Sequence, residues 1–265
     1  MICDYHVHSI SPDARVSMTE MCRSACEKKI DELVFTDHYE FYSNNMTSQY
    51  FNEEYLKRYF DEIAECQKIY TDRLTVKTGM EFGQLHLQIE TADKILKKYP
   101  FDYVIGSLHK IANIDLENQG YNSDTLDRIG ESYYQELLKV ARLGDFDCLG
   151  HLDLFKRYAR RYGFSDGYEK HQNIIREILK VVISRGKGIE INTSGLRQGV
   201  GETMPSNAIL EMYKQLGGDI ITVGSDAHYP KDIGDGIELV YSCIKQLGFS
   251  KIAVYKNRKY SFIKI

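Results

Sequence analysis

No stretch of this sequence approaches the roughly 20 consecutive apolar residues that a membrane-spanning helix needs. Nor does the amino terminus carry a basic segment followed by a long apolar one, so neither membrane insertion nor secretion is expected. Basic excess is lacking too. The net charge of −4 provides no field for a polyanion, which counts against a dedicated nucleic-acid binder. The six cysteines, Cys3, Cys22, Cys26, Cys66, Cys148 and Cys243, form no C-x-x-C pair and no disulfide-dense spacing, as in the reducing cytoplasm, which is the expected location. Cys22 and Cys26 lie four apart on an expected helix but have no second pair with which to hold a metal, and are read as packing residues. Familiar phosphatase signatures are missing as well. Cys66 to Arg73 has one residue too many for a C-x5-R thiol motif, and Asp145 and Asp147 lack the D-x-T context of aspartyl-phosphate enzymes. There is no P-loop and no G-x-S-x-G elbow.

What is present is a chain of ordinary globular composition, long enough for one large α/β domain spanning 1–265. The run Ile2 to His8 reads as a strand, and alternation sends His6 and His8 to the same face. Ser17 and Glu20 form a capping box that opens a helix to about Lys29. Further strands are expected at Glu32–Thr36, Leu74–Met80, Asp102–Ser107, Cys148–Gly150, Gly188–Asn192 and Asp219–Gly224. Helices are expected between them at about 53–70, 88–97, 124–143 and 166–184, with one opened by Pro205 at its first turn and a last one near 234–247. A hairpin turning at Lys256 and Asn257 would close the chain, covering the gap in the barrel. The pattern predicts a distorted (β/α)7 TIM-like barrel, with an open doubly wound sheet as the alternative.

The chemistry-bearing residues fall at the carboxyl ends of these strands. Six of the eight histidines do so: His6, His8, His38, His109, His151 and His228. Glu81 and Asp226 join them, and a mixture of imidazole and carboxylate suits Zn, Mn or Fe better than Ca or Mg. These are too many ligands for one tetrahedral ion, so a cluster is expected. Asp37, Asp4 and Asp153 are read as partners that orient ligating histidines, or as core ion pairs.

The set DYHVHS, TDH, a lone Glu after the third strand, GSLH, GHLDL and GSDAH resembles the polymerase and histidinol phosphatase (PHP) superfamily over essentially the whole chain. That resemblance implies a distorted seven-stranded barrel with a trinuclear centre. It implies a first metal on His6, His8, Glu81 and Asp226, a second on Glu81, His109 and His151, and a third on Asp13, His38 and His228. Some members of the superfamily have a histidine one position beyond Asp13, where this chain has Ala14.

GHLDL followed by arginines, together with INTSGLR, resembles the histidinol-phosphate phosphatase branch. The residues themselves point the same way. Arg157, Arg160 and Arg161 follow one strand and Arg197 another, so guanidiniums can reach the metal rim from neighbouring loops and fork onto phosphate oxygens. Arg160 and Arg197 are favoured, Arg157 is secondary, and Lys110 is read as a bystander. The expected reaction is metal-assisted hydrolysis of a small phosphate monoester, histidinol phosphate first, with Asp226 or His228 relaying a proton if not fully committed to metal. Asp115, Glu117, Glu40 and Glu202 are candidates for contacting the amino group and imidazole of that substrate. The enzyme alternative acts on nucleotides, oligonucleotide ends or another small phosphate. A non-catalytic metal-binding scaffold is disfavoured, because no ligand position stands vacant.

Overall fold

Short apolar strands alternating with amphipathic helices build a nearly closed parallel barrel. A computed structural model describes residues 1–44, 46, 48–164 and 168–265. In chain order, β1 (Cys3–Val7), α1 (Met18–Glu27), β2 (Glu32–Phe35), a short β3 (His38–Glu40) and α2 (Glu53–Ile69) lead to β4 (Thr75–Gly83), α3 (Ile89–Lys98) and β5 (Tyr103–Ser107). A small hairpin of β6 (Lys110–Ile111) and β7 (Ile114–Asp115) follows, then α4 (Leu126–Leu143), β8 (Cys148–Leu149), α5 (Phe155–Arg161), α6 (Tyr168–Ser184) and β9 (Gly188–Asn192). The one-turn α7 (Ser194–Arg197), α8 (Asn207–Gln215), β10 (Ile221–Gly224), α9 (Ile237–Gln246) and the hairpin β11 (Lys251–Lys256) with β12 (Lys259–Lys264) complete the chain.

The main sheet runs β1-β2-β4-β5-β8-β9-β10, every neighbouring pair parallel, with β3 added to the end of β4. This is the seven-stranded architecture read from the sequence. β1, β2 and β5 are buried on both faces, as parallel strands covered by helices must be. The seam between β1 and β10 is closed by the chain just past β10: the His8 amide donates to the Ala227 carbonyl at 2.9 Å and the Asp226 amide to the His6 carbonyl at 2.7 Å. Those bonds also fix two candidate ligand segments against each other. The cap at α1 forms in part as read: the Glu20 amide donates to Ser17 Oγ at 3.3 Å, while the Glu20 carboxylate accepts from the Ser17 hydroxyl at 2.9 Å rather than from its backbone amide.

Several local expectations change. The terminal hairpin does not cover the seam. It packs across the amino-terminal end of the barrel, where the Tyr255 amide donates to Tyr5 Oη at 2.8 Å and its ring meets Tyr103 at 5.0 Å. Arg258 ties the hairpin to Asp147 at 2.6 Å and to Asp145 at 3.0 Å. Its turn lies at Asn257 and Arg258, both at positive φ, the signature of a tight two-residue turn matched to strand twist. Pro205 does not open a helix. It follows Met204 through a cis bond, and α8 begins at Asn207 after Ser206. The helix start expected at Asp166 lies outside the described residues. Arg157, Arg160 and Arg161 sit on a helix, α5, rather than in a loop. Among the described residues no helix is long and apolar enough to cross a membrane.

Candidate metal centre

The strand ends bring their histidines and Glu81 together at one end of the barrel. His6 and His8 leave β1 on the same side with ring centroids 5.0 Å apart. Pairing of β3 with β4 sets His38 opposite Glu81, and pairing of β4 with β5 brings Ser107 to the same rim. Buried Asp37 shapes the loop that carries Asp13 by accepting from the amides and hydroxyls of Ser9 and Ser11 at 2.7 to 3.1 Å. Asp4 likewise holds Ser225 and Gly234, next to Asp226. Neither aspartate touches a ligating histidine ring, and Asp153 pairs with Lys156 at 2.8 Å.

Glu81 is the shared element. Its Oε2 lies 3.2 Å from His6 Nε2, 3.6 Å from His8 Nε2 and 3.0 Å from His38 Nδ1. Its Oε1 lies 3.1 Å from His109 Nε2 and 2.8 Å from His151 Nε2. Asp226 Oδ1 completes the first group, at 3.8 Å from His6 Nε2 and 3.4 Å from His8 Nε2. Asp13 Oδ2 meets His38 Nε2 at 3.3 Å and His228 Nε2 at 3.2 Å. All the residues named as ligands from the sequence are therefore brought together. The partition among ions is less sharp than the resemblance implies, since His8 also gathers with His38 and His228, and His38 with Glu81 and His109.

The donor set fits cations on its own evidence. His6 Nε2, His8 Nε2 and Glu81 Oε2 are buried and without hydrogen-bond partners, yet they converge on one point. Unpaired buried polar atoms are costly, and a cation is the partner that satisfies two imidazole lone pairs and a carboxylate together. Burial, reinforced by His228 and His38, lowers the His8 imidazole to about 3, which leaves it neutral and able to coordinate. For His6, burial pulls the pKa down, but Glu190, Glu81 and Asp226 outweigh it and raise it well above the ordinary range. For His109 burial is likewise outweighed, by Glu81 and Glu40, and the pKa rises to about 9. Protons thus supply the positive charge that these carboxylates demand in a protein without cations.

Two residues that aim the ligands were missed. His6 Nδ1 donates to Glu190 Oε1 at 2.5 Å, turning Nε2 toward the centre, and the other Glu190 oxygen accepts from the His151 amide at 2.8 Å. His109 Nδ1 donates to Glu40 Oε1 at 2.6 Å in the same way. The signal for Glu190 was a charged residue inside GIEIN, a strand otherwise built to be buried. Glu40, read as a candidate for substrate contact, is committed to His109. Gly224 is required beside this arrangement, because a Cβ there would stand 2.3 Å from His6 Cβ and 2.8 Å from Glu190 Oε1.

A cavity of about 380 Å³ opens from the centre, lined by Asp13, His38, Glu81, His109, His151, Asp226 and His228 on the ligand side. The remainder of its wall includes Tyr42, Tyr50, Phe51, Lys110, Asp115, Leu116, Glu117, Leu154, Arg157 and Tyr158. Lys110 stands on this wall with its ammonium engaged directly by Asp115. The arginine ranking changes. Arg157 lines the cavity, donating to Ser194 Oγ at 2.6 Å and Asp226 Oδ2 at 3.3 Å, with Nε buried and unpartnered. Arg160 is directed instead to the Val200 carbonyl and to Glu202, the latter at 2.6 Å. Arg197 donates to the Asp226 carbonyl at 2.8 Å and keeps a buried Nη1 without a partner. Asp226 Oδ2 accepts from Asn192, Ser194 and Arg157. Burial would raise its carboxyl, but His6, His8, His228 and Arg157 hold it well below the usual range, so it carries no proton to give at neutral pH.

Replacing Glu190 by Gln keeps every ligand but weakens the anchor of His6, and metal affinity is expected to fall about 10- to 100-fold, measured by competition with a chelator; wild-type affinity would remove Glu190 from this role. Because cations must displace protons held by His109 up to about 9, affinity should rise as pH is raised toward 9, with proton release detectable by calorimetry in buffers of different ionisation enthalpy. A flat pH profile without proton release would contradict the charge balance described.

A PHP domain family model matches residues 4–194. A histidinol-phosphatase of Lactococcus lactis is 30% identical over 263 residues, covering 97% of this chain and 95% of that protein. A probable histidinol-phosphatase of Clostridium acetobutylicum is 30% identical over 261 residues, covering 95% and 98% respectively. The crystal structure of a Lactococcus lactis histidinol phosphate phosphatase complexed with zinc, L-histidinol and phosphate superposes with a TM-score of 0.84 at 29% identity, covering 98% of each chain. The strand-end ligand set and these likenesses along the chain lead to one conclusion, that this protein belongs to the PHP domain family.

Proposed function

We propose that this protein is a histidinol-phosphatase, hydrolysing L-histidinol phosphate to L-histidinol and phosphate in histidine biosynthesis. The observation that carries the reading is the cavity itself: a buried His and carboxylate cluster on one side, and on the other a small collar of aromatic, apolar and acidic residues sized for a compact ester. The likeness to a phosphatase crystallised with zinc, histidinol and phosphate supports it. The chain acts as a single domain over 1–265, in the cytoplasm, where its free cysteines are at home.

Three divalent cations are proposed, zinc first and manganese or iron compatible with the donors. His6, His8, Glu81 and Asp226 would hold one, Glu81, His109 and His151 a second, and Asp13, His38 and His228 a third. Divalent ions held by these residues would supply an activated water and charge neutralisation for an in-line displacement at phosphorus. Arg157 adds a guanidinium on the cavity wall for a phosphate oxygen. Arg197 braces the backbone of Asp226 and offers its remaining Nη1 to the phosphate, while Arg160 contributes only by exchanging Glu202 for the ester. Asp226, held ionised, serves as a ligand rather than as a proton source. His228 Nε2, placed on the third cation in this assignment, would relay a proton to the leaving oxygen only from a state in which that cation is absent, and no other general acid is assigned.

Phosphate release from a panel of histidinol phosphate, nucleotides and sugar phosphates should favour histidinol phosphate, and comparable rates on all of them would defeat the assignment. In the same assay Arg197→Ala should lower kcat/KM on the order of 10²-fold with metal content unchanged. An unaltered rate would remove Arg197 from the site.

A further inference from the structure

The carboxylates on the cavity wall divide into two sets. Asp13, Glu40, Glu81 and Asp226 are engaged with the histidine cluster, which leaves Asp115 and Glu117, both from the β6–β7 hairpin and the turn that follows it. Asp115 is neutralised by Lys110, whose side chain is only 14% exposed and lies over the Tyr42 ring. Parting that pair would strand a largely buried ammonium. Glu117 is different. Its partner is Arg161 at 2.9 Å, and the two side chains are 58% and 49% exposed, the class of ion pair that contributes little and exchanges readily. Glu117 is thus the cavity carboxylate whose charge can be redirected to a ligand at small cost.

Its position is fixed relative to the metal centre. The Leu116 amide donates to the His109 carbonyl at 2.8 Å, and Leu116 itself is buried. At the hairpin tip, the Asn113 side chain accepts from the Ser43 amide at 2.9 Å and donates to Ser43 Oγ at 2.8 Å. One braced segment therefore presents a metal-facing imidazole at one end, His109, and an anion at the other.

We infer that Glu117 is the specificity-determining residue that selects phosphate esters with a cationic alcohol, reading the ammonium or imidazolium of the leaving group while the phosphate lies at the cluster. This rests on the proposed phosphatase reading and adds to it the group that recognises the substrate's positive charge. Leu116, Leu154 and Tyr158 line the wall nearby and would cover the carbon skeleton.

The test compares kcat/KM on histidinol phosphate with that on p-nitrophenyl phosphate, whose leaving group carries no cation, for the wild type, Glu117→Gln and Arg161→Ala. In Glu117→Gln the ratio of the two should fall about 10-fold, mainly through KM for histidinol phosphate. Arg161→Ala removes the competing cation and should keep or raise the ratio. A ratio in Glu117→Gln within about twofold of the wild type would overturn the inference, as would an equal fall in Arg161→Ala, which would mean that the pair matters only structurally. If the wild type itself shows no preference for histidinol phosphate, the phosphatase assignment fails first and the inference with it. A preference retained in Glu117→Gln sinks the inference alone.

Discussion

The carboxylate of Glu81, buried at the carboxyl end of β4, lies within 3.6 Å of nitrogen atoms from His6, His8, His38, His109 and His151. So many ionisable groups cannot be taken out of water unless their charges cancel locally. Glu81, Asp226, Glu190 and Glu40 supply the negative side. The positive side is supplied by protons on the histidines or by cations in their place, and the geometry favours cations wherever imidazole nitrogens converge without a partner. This requirement explains why β4 runs to Gly83, why β3 exists as a three-residue strand setting His38 against Glu81, and why a side chain at Gly224 would intrude.

The two ends of the barrel carry separate burdens. At the amino-terminal end the β11–β12 hairpin packs against the barrel through Tyr255 and Arg258, which meet Tyr5 and Asp147, neither of them a candidate ligand. The carboxyl-terminal end is left to chemistry, and its walls come from segments inserted between the strands: the β6–β7 hairpin, α5 and the loop after His38. Rigid strands hold the ligands, while the inserted segments shape the part of the cavity away from them. Such a division lets a barrel keep one metal centre while altering what it accepts.

Much of this was legible because strand-end histidines leave a sequence trace that survives without coordinates: His6 and His8 share a face by alternation, and Glu81, His109, His151 and Asp226 each follow an apolar run. The orienting carboxylates were hidden for the opposite reason. Glu190 lies inside a strand and Glu40 two residues past a ligand, and nothing local says which imidazole each will meet. Arginine order was hidden too. Read as a loop, the cluster at 157, 160 and 161 favoured Arg160, whereas on α5 the helical turn sends Arg157 to the cavity, Arg160 toward Glu202 and Arg161 toward Glu117. Pro205 and the terminal hairpin were misjudged because tertiary contacts, not local propensity, decide where a turn or a two-stranded ribbon comes to rest.

The most direct measurement is anomalous scattering from crystals of the metal-loaded protein. The account predicts peaks confined to the pocket bounded by His6, His8, Asp13, His38, Glu81, His109, His151, Asp226 and His228, with Glu81 touching more than one of them. Peaks elsewhere on the molecule, or a pocket that stays free of metal after loading, would contradict it.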